Sequence, residues 1–150
     1  MFVAFDTSLL VAGLREAHPH HDRALPWLAA ATAARIRAIA PASVVAETFA
    51  ALTAVPGLRL KPRLAQALLT DLLEHVEFRS VSREAQADAI ERCARLGAVS
   101  GAIFDAVIMA CADEAHVEAI ITFNVADFER FRQAEGPRVI APPDPPAVML

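Results

Sequence analysis

The sequence predicts an α/β fold in which helices cover both faces of a parallel sheet. Short apolar runs that resemble strands alternate along the chain with longer segments of helical character, and this alternation is typical of parallel sheets. The hydrophobic fraction of 55% suits helices that pack on a well-covered sheet. A chain of 150 residues fits one domain, and a domain of that size buries roughly 70% of the surface that its unfolded chain exposes.

The first half of the chain predicts two strands and four helices. The apolar run 2–5 is a buried strand that ends at Asp6, and Thr7 or Ser8 can cap the helix that follows, which runs through about Gly13. The other predicted elements are a loop and a helix within 18–33, a strand within 36–43 that ends at Pro41, a helix over 44–55 that Ser43 caps and Pro56-Gly57 closes, and a helix from about Pro62 to His75.

The second half predicts three strands and three helices. The predicted elements are strands within 76–82, 117–123 and 137–141, a helix over 83–97 that stops at Gly97, a buried helix over 103–115 and a short helix within 124–131. The residues that the helix 83–97 is predicted to place on one apolar face are Ala85, Ala89, Ile90, Cys93 and Leu96. We expect one domain over 1–141 and a proline-rich tail over 142–150.

Charge and cysteine usage narrow the class of protein. The formal net charge of −4 argues against a protein that holds nucleic acid by bulk charge, although a bound metal or a basic partner can invert the local field of an enzyme. Cys93 and Cys111 have no metal-type spacing and suit reduced, buried thiols. We find neither a signal peptide nor an apolar run of membrane-spanning length, and therefore expect a soluble, cytoplasmic domain with no membrane contact.

Acidic and amide side chains recur where predicted strands end and predicted helices begin. Asp6 directly follows the first strand, and Glu47 lies in the first turns of the helix after the second. Asp105 stands near the start of its own helix, within the apolar run GAIFDAVIMA, where an unpaired carboxylate is costly. Asn124 and Asp127 follow the fourth strand. In a parallel sheet such positions converge on the edge where ligands bind.

Stability alone explains such a convergence poorly. Two carboxylates ~4 Å apart repel by about 4 kcal/mol at an effective dielectric constant near 20. A divalent cation removes that penalty, and oxygen ligands suit Mg²⁺ or Mn²⁺. Such an ion can activate a water molecule and stabilise the leaving oxygen of a phosphodiester. The residues therefore predict metal-dependent phosphodiester hydrolysis.

Four segments in order resemble the PIN-domain family, and most closely its VapC-type ribonuclease toxins of type II toxin–antitoxin systems. The matching stretches are FVAFDTSLLVA (2–12), SVVAETFAAL (43–52), GAIFDAVIMACADEAHVEAIIT (101–122) and TFNVADFERF (122–131). The resemblance implies a three-layer α/β/α sandwich with a central, mostly parallel sheet. It also implies an endoribonuclease that depends on Mg²⁺ or Mn²⁺, forms homodimers, and is neutralised by a cognate VapB-type antitoxin that blocks the site.

Carried over to this chain, the resemblance makes Asp6, Glu47 and Asp105 the catalytic, metal-binding carboxylates. Many members have an acidic residue two positions after the threonine, where this chain has Asn124. An amide oxygen can accept a hydrogen bond but brings no charge. Asp127 either supplies a fourth carboxylate or caps the short helix, so one ion is favoured over two.

Thr7 and Thr122 are predicted to support the site by hydrogen bonding to ligands or water, or else to act as caps.

Other interpretations stay open beside the metal site. Taken singly, Asp6 suits a strand-end cap, Asp105 a partner of the helix dipole, and Glu47 a solvated helix residue. A catalytically silent PIN-like module that binds protein or RNA is the main alternative function, because Asn124 lacks a charge. A phosphatase with a strand-end aspartate nucleophile is disfavoured, because Ser8 stands where its second aspartate would be needed.

Two further groups of residues carry weaker signals. His18, His20 and His21 form a dense cluster, but histidines beside a proline are more typical of an exposed loop than of a metal site. The candidate phosphate contacts are Arg35, Arg37, Arg59, Lys61, Arg63, Arg79 and Arg83. The sequence does not select among these cations, each of which also suits a solvated surface.

Overall fold

A computed structural model describes residues 1–54 and 59–143 of the chain. Its strands are β1 (Phe2–Phe5), β2 (Arg37–Pro41), β3 (Glu77–Arg79), β4 (Ala119–Ile121) and β5 (Arg138–Ile140). Its helices are α1 (Thr7–Leu14), α2 (His21–Thr32), α3 (Ser43–Ala54), α4 (Pro62–Leu72), α5 (Arg83–Leu96), α6 (Ala102–Glu114) and α7 (Val125–Phe131). The predicted alternation of strands and helices is confirmed throughout this part of the chain.

The strands form one sheet in the order β3-β2-β1-β4-β5, and all four pairings are parallel. Ala4 of β1 lies opposite Ile39 of β2 on one side and Ile120 of β4 on the other. The chain moves from β1 out to β3, then returns across β1 to β4. Since crossovers between parallel strands are right-handed, this reversal puts the two sets of connecting helices on opposite faces.

Helices α1 to α4 pack on one another, and α5 to α7 form a second packed group. The result is the expected α/β/α sandwich with its core on both faces of the sheet. Val3, Phe5 and Ile120 of the central strands are fully buried. Both cysteines are free and buried, as predicted. Within the described residues, no helix is both long enough and apolar enough to cross a bilayer.

Several predicted helix ends are wrong in detail. Asp6, not Thr7 or Ser8, caps α1, because its side chain accepts a hydrogen bond from the Leu9 N–H. Helix α3 includes Ser43 as its first residue rather than starting after it.

Helix α4 ends at Leu72, three residues before His75, where the prediction had ended it. The predicted stop at Pro56-Gly57, and all of the predicted tail except its first two residues, lie outside the described ranges. The division between domain and tail at residue 141 therefore stays a prediction.

The buried face of α5 also differs from the prediction. Ala85, Ala89 and Cys93 are buried, but Ile90 and Leu96 are 62% and 40% exposed, and Arg92 is buried instead. Ile90 lies about 100° around the helix from Ala89, beyond the stripe that packs against α6. Gly97 ends α5 in the left-handed conformation at φ 62°, as a C-terminal glycine is expected to do.

Candidate metal centre

The candidate site lies where the strand order reverses. Strand β1 lies between β2 and β4 in the sheet. The chain continues from β1 through β2 to the edge strand β3, and then returns to form β4 on the other side of β1. Ligands of open parallel sheets bind in the crevice at this point, outside the carboxyl ends of the strands. Asp6 follows β1 directly and Thr122 follows β4 directly, so these side chains flank the crevice.

Asp6 is only 2% exposed, and three neighbours hold its carboxylate. The Leu9 N–H donates to Oδ1 at 2.9 Å, and the Thr122 hydroxyl donates to Oδ2 at 2.8 Å. Ser8 Oγ lies 2.9 Å from Oδ1 and 2.8 Å from Oδ2. Burial raises the pKa of Asp6 by more than these hydrogen bonds lower it. Because Ser8 has one proton to share between two oxygens, the carboxylate keeps lone pairs for a further ligand.

Glu47 reaches the same edge from the second turn of α3. The Thr7 hydroxyl donates to its Oε2 at 3.2 Å, so the two predicted site residues are in contact. Its other oxygen, Oε1, is buried and has no hydrogen-bond partner among the described residues. A buried carboxylate oxygen without a partner is costly. This oxygen therefore has a lone pair available for a cation.

Asp105 lies in the first turns of α6, half-buried. Its pKa is raised to about 6, first by burial and then by the charges of Asp6, Asp127 and Glu47. Since those three charges act on Asp105, carboxylates from four separate elements converge here. Within residues 1–54 and 59–143, no ion pair involves any of these four carboxylates. Their mutual repulsion is therefore not relieved by a protein cation in that part of the chain.

The two residues after β4 differ in how they meet the site. Asn124 is exposed, its backbone N–H donates to Thr122 Oγ1 at 2.9 Å, and its side chain does not cap α7. Asp127 is also exposed, in the first turn of α7, but its charge reaches Asp105. The choice between Asn124 and Asp127 as a further ligand stays a prediction.

The residues fit a hydrated cation better than an enclosed one. In the described ranges, no three His, Cys, Asp or Glu side chains form a ready-made metal cage. A positive charge at this place would nonetheless give the buried Oε1 of Glu47 a partner and would reduce the repulsion between Asp105 and its neighbouring carboxylates. Mg²⁺ keeps several waters and takes only one or two carboxylates directly, so it does not require a cage. That Asp6, Glu47 and Asp105 are its ligands stays a prediction.

Sequence reasoning missed the part played by Ser8. Besides contacting both oxygens of Asp6, its Oγ accepts from the Phe123 N–H at 3.1 Å and lies 3.4 Å from Thr122 Oγ1. Ser8 thus joins the end of β1 to the end of β4. Its position two residues after Asp6 was visible in the sequence, but it suggested only a helix cap.

The histidine cluster is not the exposed loop that was predicted. His18, His20 and His21 are all partly buried. The His20 ring stacks on Phe123 with centroids 4.7 Å apart, and His21 Nδ1 lies 3.0 Å from the Ala12 carbonyl oxygen. Burial, followed by the charge of His20, lowers the pKa of His18. The segment 18–21 therefore packs against Phe123, just after β4, and supports the chain next to the candidate site.

The candidate phosphate contacts divide between the two edges of the sheet. Arg37 begins β2 and pairs with Glu77 at 2.7 Å, so it lies at the amino edge, away from the carboxylates. Arg79 ends β3 and lies at the carboxyl edge, with its Nε 3.2 Å from Glu77 Oε1. Of these two cations, only Arg79 is on the side of the candidate site.

Comparison with protein-family models gives a match to the model described as PIN domain, over residues 3–134. Comparison with curated protein sequences gives no match.

Solved structures with the same fold include proteins from three organisms. VapBC2 from Rickettsia felis, bound to promoter DNA, has a TM-score of 0.69 at 17% identity, and the match covers 94% of this chain and 98% of that one. VapC20 from Mycobacterium tuberculosis, described as a sarcin-ricin loop cleaving toxin, has a TM-score of 0.70 at 20% identity, covering 89% and 97%. FitAcB from Neisseria gonorrhoeae has a TM-score of 0.60 at 17% identity, covering 93% and 97%.

Proposed function

The chain belongs to the PIN domain family, and on that premise we propose that it is a VapC-like endoribonuclease that uses Mg²⁺ or Mn²⁺ to hydrolyse RNA phosphodiester bonds. The observation that carries the proposal is a set of four carboxylates that no protein cation pairs with in the described residues. Burial first, and then the charges of the other three, raise the pKa of Asp105 to about 6. Such a set disfavours an anionic substrate unless a cation stands between them.

In this proposal each residue has a distinct task. Asp6, Glu47 and Asp105 supply negative oxygens for the ion, and Ser8 and Thr122 fix the orientation of the Asp6 carboxylate. When bound, a divalent ion supplies an activated water and stabilises the charge on the leaving oxygen. Thr7 holds Oε2 of Glu47 so that the orphaned Oε1 is the oxygen that points to the ion.

RNA is the proposed substrate, and the partners follow from the same likeness. VapC20 is described as a toxin that cleaves the sarcin-ricin loop, and VapBC2 is a toxin–antitoxin complex. We extend to this chain an RNA substrate, a VapB-type antitoxin that covers the site, and a homodimer. The net charge of −4 agrees with binding that depends on a metal rather than on a basic surface.

RNA cleavage by the purified protein, freed of bound antitoxin, tests the proposal. A mixed RNA pool is incubated with Mn²⁺, Mg²⁺ or EDTA, with Asp105→Asn as the test variant and Glu91→Gln, at an exposed position of α5, as the control. We expect cleavage that requires the metal, falls by at least about a hundredfold in Asp105→Asn, and persists in the control. Absence of cleavage together with absence of Mn²⁺ binding would instead favour a silent binding module, as the uncharged Asn124 allows.

A further inference from the structure

A second recess lies beside the acidic site, at the same edge of the sheet. Its volume is about 410 Å³, and it is bounded by the segments that follow β2 and β3 and by the first turns of α6. The Ala42 N–H donates to the Arg79 carbonyl oxygen at 2.8 Å, which ties those two segments together. Phe104 and Val107 form the wall that α6 contributes.

Two chain positions connect this recess to the carboxylates. Phe104 immediately precedes Asp105 on α6, and Ser43 lies one helical turn before Glu47 on α3. Residues four apart share a helix face, so Ser43 and Glu47 face the same way. The recess therefore lies next to the segments that carry Asp105 and Glu47. A molecule held at the carboxylates extends naturally into it.

The chemistry of the recess combines an aromatic face, a cation and hydrogen-bonding groups. Phe104 is 51% exposed, whereas Ile108 and Met109 of the same helix are buried. Arg79 is 40% exposed and lines the recess together with Val107, and its Nε lies 3.2 Å from Glu77 Oε1. In the described ranges, neither Nη nitrogen of Arg79 forms a hydrogen bond. Gln86 adds an amide at the rim.

We propose that this recess is a nucleotide subsite that receives one unpaired base of the RNA strand next to the phosphate undergoing cleavage. The inference rests on the proposed ribonuclease function. In it the base stacks on Phe104, Gln86 contacts the base edge, and Arg79 neutralises the adjoining phosphate. A volume of 410 Å³ lies at the small end of ligand pockets and suits a single nucleotide. Unstacked bases of single-stranded RNA are commonly recognised by such aromatic faces.

Binding of a fluorescein-labelled single-stranded RNA, followed by anisotropy in Ca²⁺, tests the subsite. The parent is the wild type, so that Asp105 still contributes to the ion site, and Ca²⁺ replaces Mg²⁺ so that the RNA stays intact. We compare Phe104→Ala with Phe104→Trp, which keeps an aromatic face, and with Ile90→Ala, which truncates an exposed apolar side chain outside the recess. We expect Phe104→Ala to weaken binding on the order of tenfold, and the other two variants to bind as the parent does.

A second variant tests the role of the cation. Arg79→Gln should weaken RNA binding and also reduce its dependence on salt, because one phosphate contact is lost. A loss of affinity with an unchanged salt dependence would contradict that role.

The outcomes separate the subsite from the ribonuclease. If the parent binds RNA and Phe104→Ala binds equally well, the subsite is wrong while the proposed function stands. If Phe104→Trp is as weak as Phe104→Ala, base stacking is excluded and the inference falls. Mn²⁺ binding by Phe104→Ala should equal that of the wild type, which shows that the acidic cluster is undisturbed. If the wild type binds neither RNA nor Mn²⁺, both proposals fail.

Discussion

The carboxylates at the two ends of α6 have opposite electrostatic surroundings. At the last turn, Asp113 is paired with the buried Arg92 at 2.7 Å, and Arg92 also pairs with Asp88 at 2.5 Å and donates to the Phe131 carbonyl oxygen at 3.0 Å. At the first turns, Asp105 meets three further carboxylates and, in the described part of the chain, no cation. Helix α6 thus carries a carboxylate that is paired with an arginine at its last turn, and a carboxylate that other carboxylates repel at its first turns.

The difference separates structure from function in this fold. A carboxylate at a helix C-terminus opposes the helix dipole, and Arg92 compensates for it while joining α5, α6 and α7. The chain therefore pairs carboxylates with a cation of its own where only stability is at stake. The carboxylates around Asp105 have no such partner in the described residues, as the proposed metal site requires.

Arg92→Met should have the largest effect on stability. It leaves Asp88 and Asp113, which are 38% and 21% exposed, without their shared partner, and the loss of hydrogen bonds to a charged group costs about 2–3 kcal/mol. Urea unfolding measures this loss, with Arg95→Met, at an exposed position of the same helix, as a control that changes little. A loss of unfolding free energy below ~1 kcal/mol would show that the ion pairs of Arg92 at the last turn of α6 do not stabilise the fold.

Asp105→Asn should change stability in the opposite direction. A carboxyl group whose pKa is raised to about 6 stabilises the fold fully only below the unfolded pKa of 3.8, and that contribution is lost as the pH rises through 6. In metal-free protein at pH 7, Asn should therefore raise the free energy of unfolding by about 1 kcal/mol, after allowance for solvent screening. The gain should shrink towards pH 4, where Asp105 is protonated.

Unfolding curves of the wild type and of Asp105→Asn at several pH values between 4 and 8 measure this difference. A gain that is constant with pH would mean that Asp105 is not repelled by its neighbours. A loss of stability at pH 7 would contradict the contrast between the two ends of α6.

Ser8→Ala should have an intermediate effect at the acidic end. It removes the hydroxyl that contacts both Asp6 oxygens and accepts from the Phe123 N–H, so about 1–2 kcal/mol of stability is lost. Mn²⁺ affinity should also fall by about tenfold, because the Asp6 carboxylate is less well oriented. Calorimetry measures both effects, and Ser80→Ala, at an exposed loop position, is the control. Unchanged metal affinity would remove Ser8 from the site.

Asp127→Asn should have the smallest effect, because its exposed side chain acts on Asp105 only through charge. The pKa of Asp105, followed by NMR, should fall in this variant, and it should fall further in Asp6→Asn, since the Asp6 charge is the larger cause. The reverse order would place Asp127 closer to the centre of the site and favour it as a further ligand.

The fold was largely predictable because it depends on local signals. Apolar runs such as 2–5 and glycine stops such as Gly97 act within a few residues, and they gave the right elements in the right order. The errors arose where distant partners decide the outcome. Arg92 is buried with two partners, Asp88 on its own helix and Asp113 21 residues later, and the contact with Asp113 leaves no periodic signal along α5.

The acidic residues of the candidate site were visible in the sequence, but the contacts that hold them in place were not. Asp6 and Asp105 stood out because carboxylates are unusual beside apolar runs. Ser8 meets Phe123 across 115 residues, a contact that depends on β1 and β4 being neighbours in the sheet. Phe104 looked like a core residue of an apolar helix, and only its exposure revealed it as a surface group.

Calorimetric titration of the metal-free protein with Mn²⁺ at pH 7 tests the central claim most directly. The account predicts saturable binding that is lost in Asp105→Asn and kept in Glu91→Gln, at the exposed control position on α5. It also predicts that binding weakens below about pH 6, as protons compete for Asp105. Absence of binding, or equal binding by wild type and Asp105→Asn, would contradict the claim that this acidic cluster is kept for a metal ion.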